Sequence, residues 1–142
     1  MAGGVVLSLL AVAALLAACG GDEGVELRED RQLEAELRQL RQAGEAAPLR
    51  QFVPGDWDHV YSFAEPVTRE FVVEQVGRPV DMGDTFTGPG NMLVFTKSGD
   101  VQDAVSVEVN LFDGSYGPGV RVIADPPNTG RLQLNDGSGS RW

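Results

Sequence analysis

The spacing of apolar positions changes along the chain, and each spacing predicts a different kind of element. Between Val25 and Ala43 leucines recur at helical intervals, and Gly44 followed by Pro48 ends the pattern, so we predict an amphipathic N-terminal helix over residues 25–45. Its apolar stripe is narrow and its other faces carry charges of both signs, which is typical of a solvated helix that lies on a domain or serves as a spacer. A coiled-coil partner helix is the less favoured alternative, because about two heptads are too few to sustain one. The leucines of the stripe are Leu33, Leu37 and Leu40.

A second, shorter helix is predicted after Pro66. Thr68 is a candidate N-cap, an apolar run from Phe71 to Val76 follows, and Gly77 ends the segment. The β-branched residues of this run have weak helix propensity, so a strand is the alternative.

Strands are predicted by period-two alternation and by turn residues between the runs. Trp57–Phe63 is the first, and its alternation places four side chains on one face, namely Trp57, His59, Tyr61 and Phe63. Met92–Phe95 is uniformly apolar, as in a central strand covered on both faces, and Lys97–Asp100 supplies a hairpin turn. The other predictions are an alternating strand from Val105 to Leu111, a loop at Asp113–Gly119, strands at Val120–Ala124 and Arg131–Leu134, and a turn at Pro126-Pro127-Asn128.

These elements predict a single α+β domain over residues 49–135. It has a four- to five-stranded antiparallel sheet with one short packed helix, and the longer N-terminal amphipathic helix precedes it. The length allows one small hydrophobic core. Residues 136–142 are rich in Gly and Ser, so we predict a flexible tail there.

The N-terminus begins with an uncharged apolar run from Val5 that ends in Leu16-Ala17-Ala18-Cys19. The run is too short to span a bilayer, which takes about 20 apolar residues, and it is typical of a signal peptide. Leu16-Ala17-Ala18-Cys19 resembles the lipobox of bacterial lipoproteins. The resemblance implies that residues 1–18 are removed and that Cys19 carries acyl chains such as palmitate. Residues 19–24 are Gly-rich and acidic, too polar and too short to pack, and are predicted to form a tether. The protein would then be extracytoplasmic and lipid-anchored to a bacterial membrane. The alternative for Cys19 is a buried free thiol in an apolar N-terminal helix.

All charged residues lie after residue 18, so the mature chain would keep the net charge of −10. Such an acidic balance argues against binding to nucleic acid and against electrostatic docking on anionic lipid. Because Cys19 is the only cysteine, a disulfide within the chain is excluded.

A second resemblance starts from the strand and the short helix. The run Trp57–Phe63 followed by Pro66, Thr68 and Gly77 resembles the opening of a family of small uncharacterised bacterial lipoproteins. More loosely, the helix and the following hairpin are similar to the repeat unit of β-lactamase inhibitor proteins and of the small lipoprotein of the outer-membrane barrel-assembly machine. The chain has one such unit and lacks the disulfides of the inhibitors, so neither inhibition nor barrel assembly follows. The resemblances imply a compact α+β lipoprotein domain that binds a protein.

The sequence offers little catalytic chemistry. His59, the sole histidine, follows Asp58 and precedes Ser62, but strand alternation points both of those side chains away from the His59 ring. We therefore expect a packed or half-exposed neutral histidine and predict that the protein is not an enzyme. A hydrolase is the most remote alternative.

The carboxylates and glycines are typical of turns rather than of ligand sites. No calcium-binding loop is present, and Gly88-Pro89-Gly90 lacks the Lys and Ser or Thr of a phosphate loop. No metal and no other cofactor are therefore predicted. The acidic turn residues concerned are Asp81, Asp84, Asp113 and Asp136.

Three aromatic residues are the candidate interaction surface: Trp57 and Tyr61 on one strand face, and Tyr116 in a glycine-rich loop. Exposed Trp and Tyr are frequent anchors of protein interfaces. A place in the core is the favoured alternative for Trp57, as it is for Phe63, and for Tyr116 core and surface have equal weight. The favoured function is therefore a protein-interaction or cell-envelope maintenance lipoprotein with an envelope protein as partner. A lipoprotein that binds a small molecule or peptide is the alternative.

Overall fold

The computed structural model describes residues 24–124 and 131–138. The predicted signal peptide, Cys19, the turn at residues 126–128 and residues 139–142 of the tail lie outside the described residues.

Within these ranges, short strands alternate with three helices along the chain, which confirms the predicted α+β class. In chain order the elements are β1 (Val25–Glu26), β2 (Arg28–Glu29), α1 (Arg31–Ala43), β3 (Ala46–Pro48), α2 (Leu49–Phe52), β4 (His59–Ala64), β5 (Val67–Thr68), α3 (Arg69–Val76), β6 (Val80–Asp81), β7 (Thr85–Phe86), β8 (Asn91–Lys97), β9 (Asp100–Val107), β10 (Asn110–Leu111), β11 (Gly114–Tyr116), β12 (Arg121–Ala124) and β13 (Arg131–Asn135).

The central sheet has five strands in the order β11-β4-β8-β9-β2. The first four run antiparallel to their neighbours, and β2 joins β9 in parallel. Strand β8 lies in the middle, with Val94 opposite Tyr61 of β4. Every residue of β8 except Lys97 is buried, which confirms the prediction of a central strand covered on both faces. The hairpin turn between β8 and β9 is also confirmed, with Ser98 and Gly99 both at positive φ.

Each face of the central sheet supports its own hydrophobic cluster, whereas the sequence predicted a single core. The larger cluster joins this sheet to α1 and to a second sheet of order β10-β13-β12-β3. The smaller cluster joins the opposite face to α3. Alternation along β4 sends Val60 to the larger cluster and Phe63 to the smaller one. Each side of β4 therefore has its own environment.

The second sheet includes a strand that the sequence did not separate from its neighbour. The alternation from Val105 to Leu111 predicts one strand, but β9 ends at Val107 and β10 starts at Asn110 in the other sheet. Alternation persists across the break because Val109 and Leu111 are buried in the same cluster as Val105. The alternating burial therefore continues past Val107, although the hydrogen-bonding partner changes: β9 pairs with β8, and β10 pairs with β13.

Helix α1 begins at Arg31, six residues later than predicted. The preceding residues pair as strands with β6 and β9 instead, and Asp30 caps the helix by accepting a hydrogen bond from the N–H of Leu33 at 3.0 Å. Gly44 ends the helix in the left-handed conformation. The three predicted leucines are buried in the larger cluster. The sequence left open whether this helix packs on the domain, serves as a spacer or forms a coiled coil. In the structure it packs on the domain.

Helix α3 has the predicted limits. The Thr68 hydroxyl accepts a hydrogen bond from the N–H of Phe71 at 3.3 Å, and Gly77 ends the helix with φ of 79°. Val72 and Val76 are buried against the central sheet. Packing therefore compensates for the weak helix propensity of the β-branched residues.

Asn91 is a buried polar residue that joins the two sheets. Its Nδ2 donates to Ser62 Oγ at 3.0 Å and to the carbonyl oxygen of Leu111 at 3.1 Å, and its Oδ1 accepts from the N–H of Leu111 at 3.1 Å. Ser62 belongs to the central sheet and Leu111 to the second one. One amide therefore satisfies buried groups of both sheets.

We predict that Asn91→Ala lowers the free energy of unfolding by about 2–4 kcal/mol, because buried groups on Ser62 and Leu111 lose their partner. Urea denaturation followed by tryptophan fluorescence measures the change. Asn110→Ala is the matched control, because Asn110 is exposed, and it should change stability by less than about 0.5 kcal/mol. Equal effects of the two substitutions would contradict the role given to Asn91.

Candidate functional site

A row of aromatic rings lies on the α3 side of β4, and we call His59, Tyr61, Phe63 and Phe71 the aromatic row. The ring centroids of His59 and Tyr61 are 4.7 Å apart, and those of Tyr61 and Phe63 are 6.3 Å apart with an interplanar angle of 6°. Phe71 of α3 meets Phe63 edge-on at 6.1 Å. Neighbouring rings in the row are therefore in contact.

The row is only partly covered because α3 is short. An eight-residue helix spans about 12 Å, and it buries Phe63 and the middle of the sheet. His59, Tyr61 and Phe71 are half-buried, as is Ser115 on the neighbouring edge strand β11. The same face of the sheet is thus apolar and closed under α3, and aromatic and partly open toward β11.

A pocket of about 360 Å³ lies at one end of the aromatic row, between the end of β4 and the start of α3. We call it the Asp113 pocket. Its walls are mostly apolar, and Asp113 is the charged residue among its described lining. The lining residues are Phe63, Ala64, Pro66, Val67, Thr68, Phe71 and Asp113.

Asp113 is held in place by the backbone next to the pocket. Its Oδ1 accepts a hydrogen bond from the N–H of Ala64 at 2.8 Å and a long one from Asn91 Nδ2 at 3.5 Å. Burial raises the pKa of the Asp113 carboxyl, although the hydrogen bond from Ala64, the charge of Arg131 and the hydrogen bond from Asn91 act to lower it. The sequence predicted only a turn residue here, because the pairing of β11 with β4 that brings Asp113 to the pocket is not visible locally.

At the other end of the aromatic row, His59 Nε2 is hydrogen-bonded to Ser115 Oγ. Burial lowers the pKa of His59, while the charges of Asp58 and Asp136 partly oppose the shift. Asp58 faces the hairpin turn, where its Oδ2 accepts from the N–H of Ser98 at 3.0 Å. Among the described residues no carboxylate hydrogen-bonds the second ring nitrogen of His59, so the pair lacks the orienting third member of a catalytic triad.

Ser62 points away from the His59 ring, as strand alternation predicts, whereas the contact of Ser115 with His59 was not predicted. Ser62 is buried on the opposite face of β4, where it accepts from Asn91. Ser115 reaches His59 because the predicted loop at residues 113–119 contains β11, which is antiparallel to β4 with Ser115 opposite Tyr61. The sequence offered no local signal for this strand.

The predicted interaction surface of Trp57, Tyr61 and Tyr116 is wrong, because two of the three side chains are core. Trp57 is 4% exposed and Tyr116 is 2% exposed, and both belong to the larger cluster on the face opposite Tyr61. Tyr116 belongs to β11 and donates its hydroxyl to the carbonyl oxygen of Asp113 at 2.9 Å. Only Tyr61 lies on a partly open surface.

Trp57 also departs from the predicted strand face. Strand β4 begins at His59, two residues later, so the alternation does not extend to Trp57. The indole Nε1 donates to the carbonyl oxygen of Val53 at 2.8 Å, the ring meets Phe95 at 5.2 Å, and the Arg50 guanidinium lies 4.2 Å from the ring centroid. Trp57 therefore packs beneath Arg50.

A second cavity, of about 380 Å³, lies beside α1 and carries several charges. Its Glu34 is already engaged, since it pairs with Arg38 at 2.9 Å and accepts from the N–H of Glu108 at 3.0 Å. Within the described part of the chain no group of three or more His, Cys, Asp or Glu side chains is arranged to hold a metal ion. The aromatic row and the Asp113 pocket are accordingly the stronger candidate site.

The lipid anchor at Cys19 and the resemblance to bacterial lipoproteins remain predictions. Cys19 lies outside residues 24–124 and 131–138, and in those residues no helix is long and apolar enough to cross a membrane. Comparisons of the chain with protein-family models, with curated protein sequences and with solved structures give no match.

We predict that His59 makes stability fall as the pH is lowered. His59 of the unfolded chain takes up a proton near pH 6.5, and His59 of the folded protein does so only at lower pH, so the unfolded state binds more protons in this range. The free energy of unfolding contributed by His59 should therefore decrease from about pH 7.5 to about pH 5.5. Urea denaturation of the wild type and of His59→Gln across this range isolates the effect, because glutamine can still hydrogen-bond Ser115. Identical slopes in the two proteins would contradict the prediction.

Proposed function

We propose that the protein is a lipid-anchored lipoprotein of the bacterial cell envelope, and that its folded domain binds a protein partner through the aromatic row. The observation that carries the proposal is the partial exposure of His59, Tyr61 and Phe71 in one contiguous row beside a pocket. Partly exposed aromatic side chains on a small domain are frequent anchors of protein interfaces, and here three of them flank the buried ring of Phe63.

The placement of the row supports binding because its rings stand on rigid elements. Tyr61 and Phe63 belong to β4, whose backbone is hydrogen-bonded to β8 on one side and β11 on the other. Phe71 belongs to the capped first turn of α3. Side chains on paired strands and capped helices are already ordered, so a partner binds them at a smaller entropic cost than it would bind loop residues.

The lipobox resemblance supports the anchor. Lipid attached to Cys19 would hold the domain at a membrane surface, and a lipoprotein carries more than one acyl chain, which makes the attachment stable. The net charge of −10 supports a protein partner over nucleic acid, because a phosphate backbone would be repelled.

A small molecule or short peptide is the second candidate ligand, and the Asp113 pocket favours it. Its volume of about 360 Å³ falls within the range of ligand pockets, about 300–1,000 Å³. It also has the composition of such pockets, with apolar walls and one well-placed polar group. A compound that copurifies with the protein and is displaced by a bulky substitution at Ala64 would favour this candidate over a protein partner.

We predict that Cys19→Ser moves the protein from the membrane fraction to the aqueous fraction, because serine cannot form the thioether to a diacylglyceryl group. Detergent phase partitioning of cell extracts and metabolic labelling with palmitate measure the change. Ser8→Ala, which alters the same leader without touching Cys19, is the control and should stay membrane-bound. A Cys19→Ser protein that still partitions with the membrane would overturn the anchor.

We predict that a photo-crosslinking amino acid at position 61 captures a defined envelope protein in intact cells, because the aromatic row faces the partner. The same amino acid at position 52 is the control, since Phe52 is also half-buried but packs against the larger cluster. The captured protein, once identified and purified, should bind Tyr61→Ser about tenfold more weakly than wild type, equivalent to about 1.4 kcal/mol, and should bind Phe52→Ser normally. Equal crosslinking from both positions would refute a role for this face.

A further inference from the structure

We propose that the Asp113 pocket binds an arginine side chain of the protein partner. The inference rests on the proposed function and goes further by naming the group that enters the pocket. Its basis is the combination of a half-buried carboxylate, apolar side chains and two phenylalanine rings around one pocket.

The Asp113 carboxylate is half-buried and is hydrogen-bonded through Oδ1. Its Oδ1 is engaged by the N–H of Ala64 at 2.8 Å, whereas no hydrogen-bond donor among the described residues reaches its Oδ2. Burial raises the pKa of this carboxyl, so the ionised form is under-solvated in the structure. A desolvated carboxylate in a cleft is typical of a ligand site, and a cation that reached Oδ2 would relieve the unfavourable burial.

The side chains that line the pocket suit a guanidinium group. Phe63 and Phe71 meet edge-on at 6.1 Å and both line the pocket, so ring surface and carboxylate lie within one cavity. A guanidinium group stacks on aromatic rings and pairs with a carboxylate through several N–H donors, which an ammonium group does less well. The apolar side chains of Pro66 and Val67 match the methylene stem of arginine.

Two N–H groups and one basic side chain near the pocket, which could otherwise favour an anion, are already engaged. The first turn of α3 points into this region, but the N–H of Phe71 donates to Thr68 and the N–H of Arg69 donates to the carbonyl oxygen of Asp84 at 2.9 Å. The Arg69 side chain is itself paired with Asp84 at 3.0 Å. Arg131 offsets part of the charge of Asp113, yet the chain as a whole carries −10. Long-range attraction therefore favours a basic segment.

The test is a titration of the folded protein with n-propylguanidinium, which reproduces the end of an arginine side chain, followed by backbone amide NMR. We expect saturable shifts at the N–H groups of Ala64, Thr68 and Phe71. Butyramide and butyrate, which have similar size with no charge and with negative charge, should bind at least about fivefold more weakly. Equal binding of the three compounds would overturn the proposal.

Asp113→Asn separates the charge from the fold. Asparagine keeps an oxygen that can accept from the N–H of Ala64, so the variant should fold, and its melting temperature at neutral pH should equal or exceed that of the wild type. Binding of n-propylguanidinium should fall about tenfold. Asp56→Asn is the matched control, because it makes the same change in net charge at a side chain that is 90% exposed, and it should bind as the wild type does.

Two results would overturn the inference and leave the proposed function standing. One is unchanged n-propylguanidinium binding in Asp113→Asn. The other is a fall of the melting temperature by more than about 5 °C in that variant, which would make Asp113 a structural group. Conversely, failure of the crosslink at position 61 together with Asp113-dependent guanidinium binding would refute the partner and retain the cation site.

Discussion

The fold depends on the buried amide of Asn91. It satisfies the hydroxyl of Ser62 in the central sheet and both backbone groups of Leu111 in the second sheet, so it fixes how the sheets meet. It also approaches Asp113 at 3.5 Å. A buried amide with all these partners is tolerated only in one arrangement. The same arrangement fixes where Asp113 lies beside the pocket.

The two faces of β4 have different roles, because one packs in the core and the other is partly open. Its Val60 and Ser62 point into the larger cluster and its interface with the second sheet, while Tyr61 and the His59 ring lie on the face that α3 leaves partly open. Because successive side chains of a strand point to opposite faces, β4 can pack in the core on one face and contribute a binding surface on the other. Substitutions of Tyr61 and His59 should therefore alter binding with less loss of packing than a substitution of Phe63, the buried member of the row.

Features encoded by neighbouring residues could be predicted from the sequence, and features that depend on distant pairing could not. Thr68 and Gly77 delimit α3 through their own side-chain and backbone preferences, and the apolar run of β8 identifies a central strand. In contrast, Val25–Glu26 continues a helical pattern but pairs with β6, some fifty residues away. Strand β11 was equally hidden, and with it the burial of Tyr116, the contact of Ser115 with His59 and the position of Asp113. The candidate site therefore depends on the pairing of β11 with β4, which no local sequence pattern predicts.

The close packing at Gly24 has a consequence for how the domain would operate. A side chain at this position would collide with the carbonyl oxygen of Pro79, because a Cβ would lie only 2.1 Å from it, so the chain is fixed to the body of the domain from its first described residue. If Cys19 is lipidated as proposed, the five residues up to Gly24 extend at most about 18 Å. Within the central sheet, β4 with its aromatic row lies three strand spacings, about 14 Å, from β2. The domain would then be confined to a two-dimensional search along the membrane surface, so the partners within its reach would be proteins that lie at that surface.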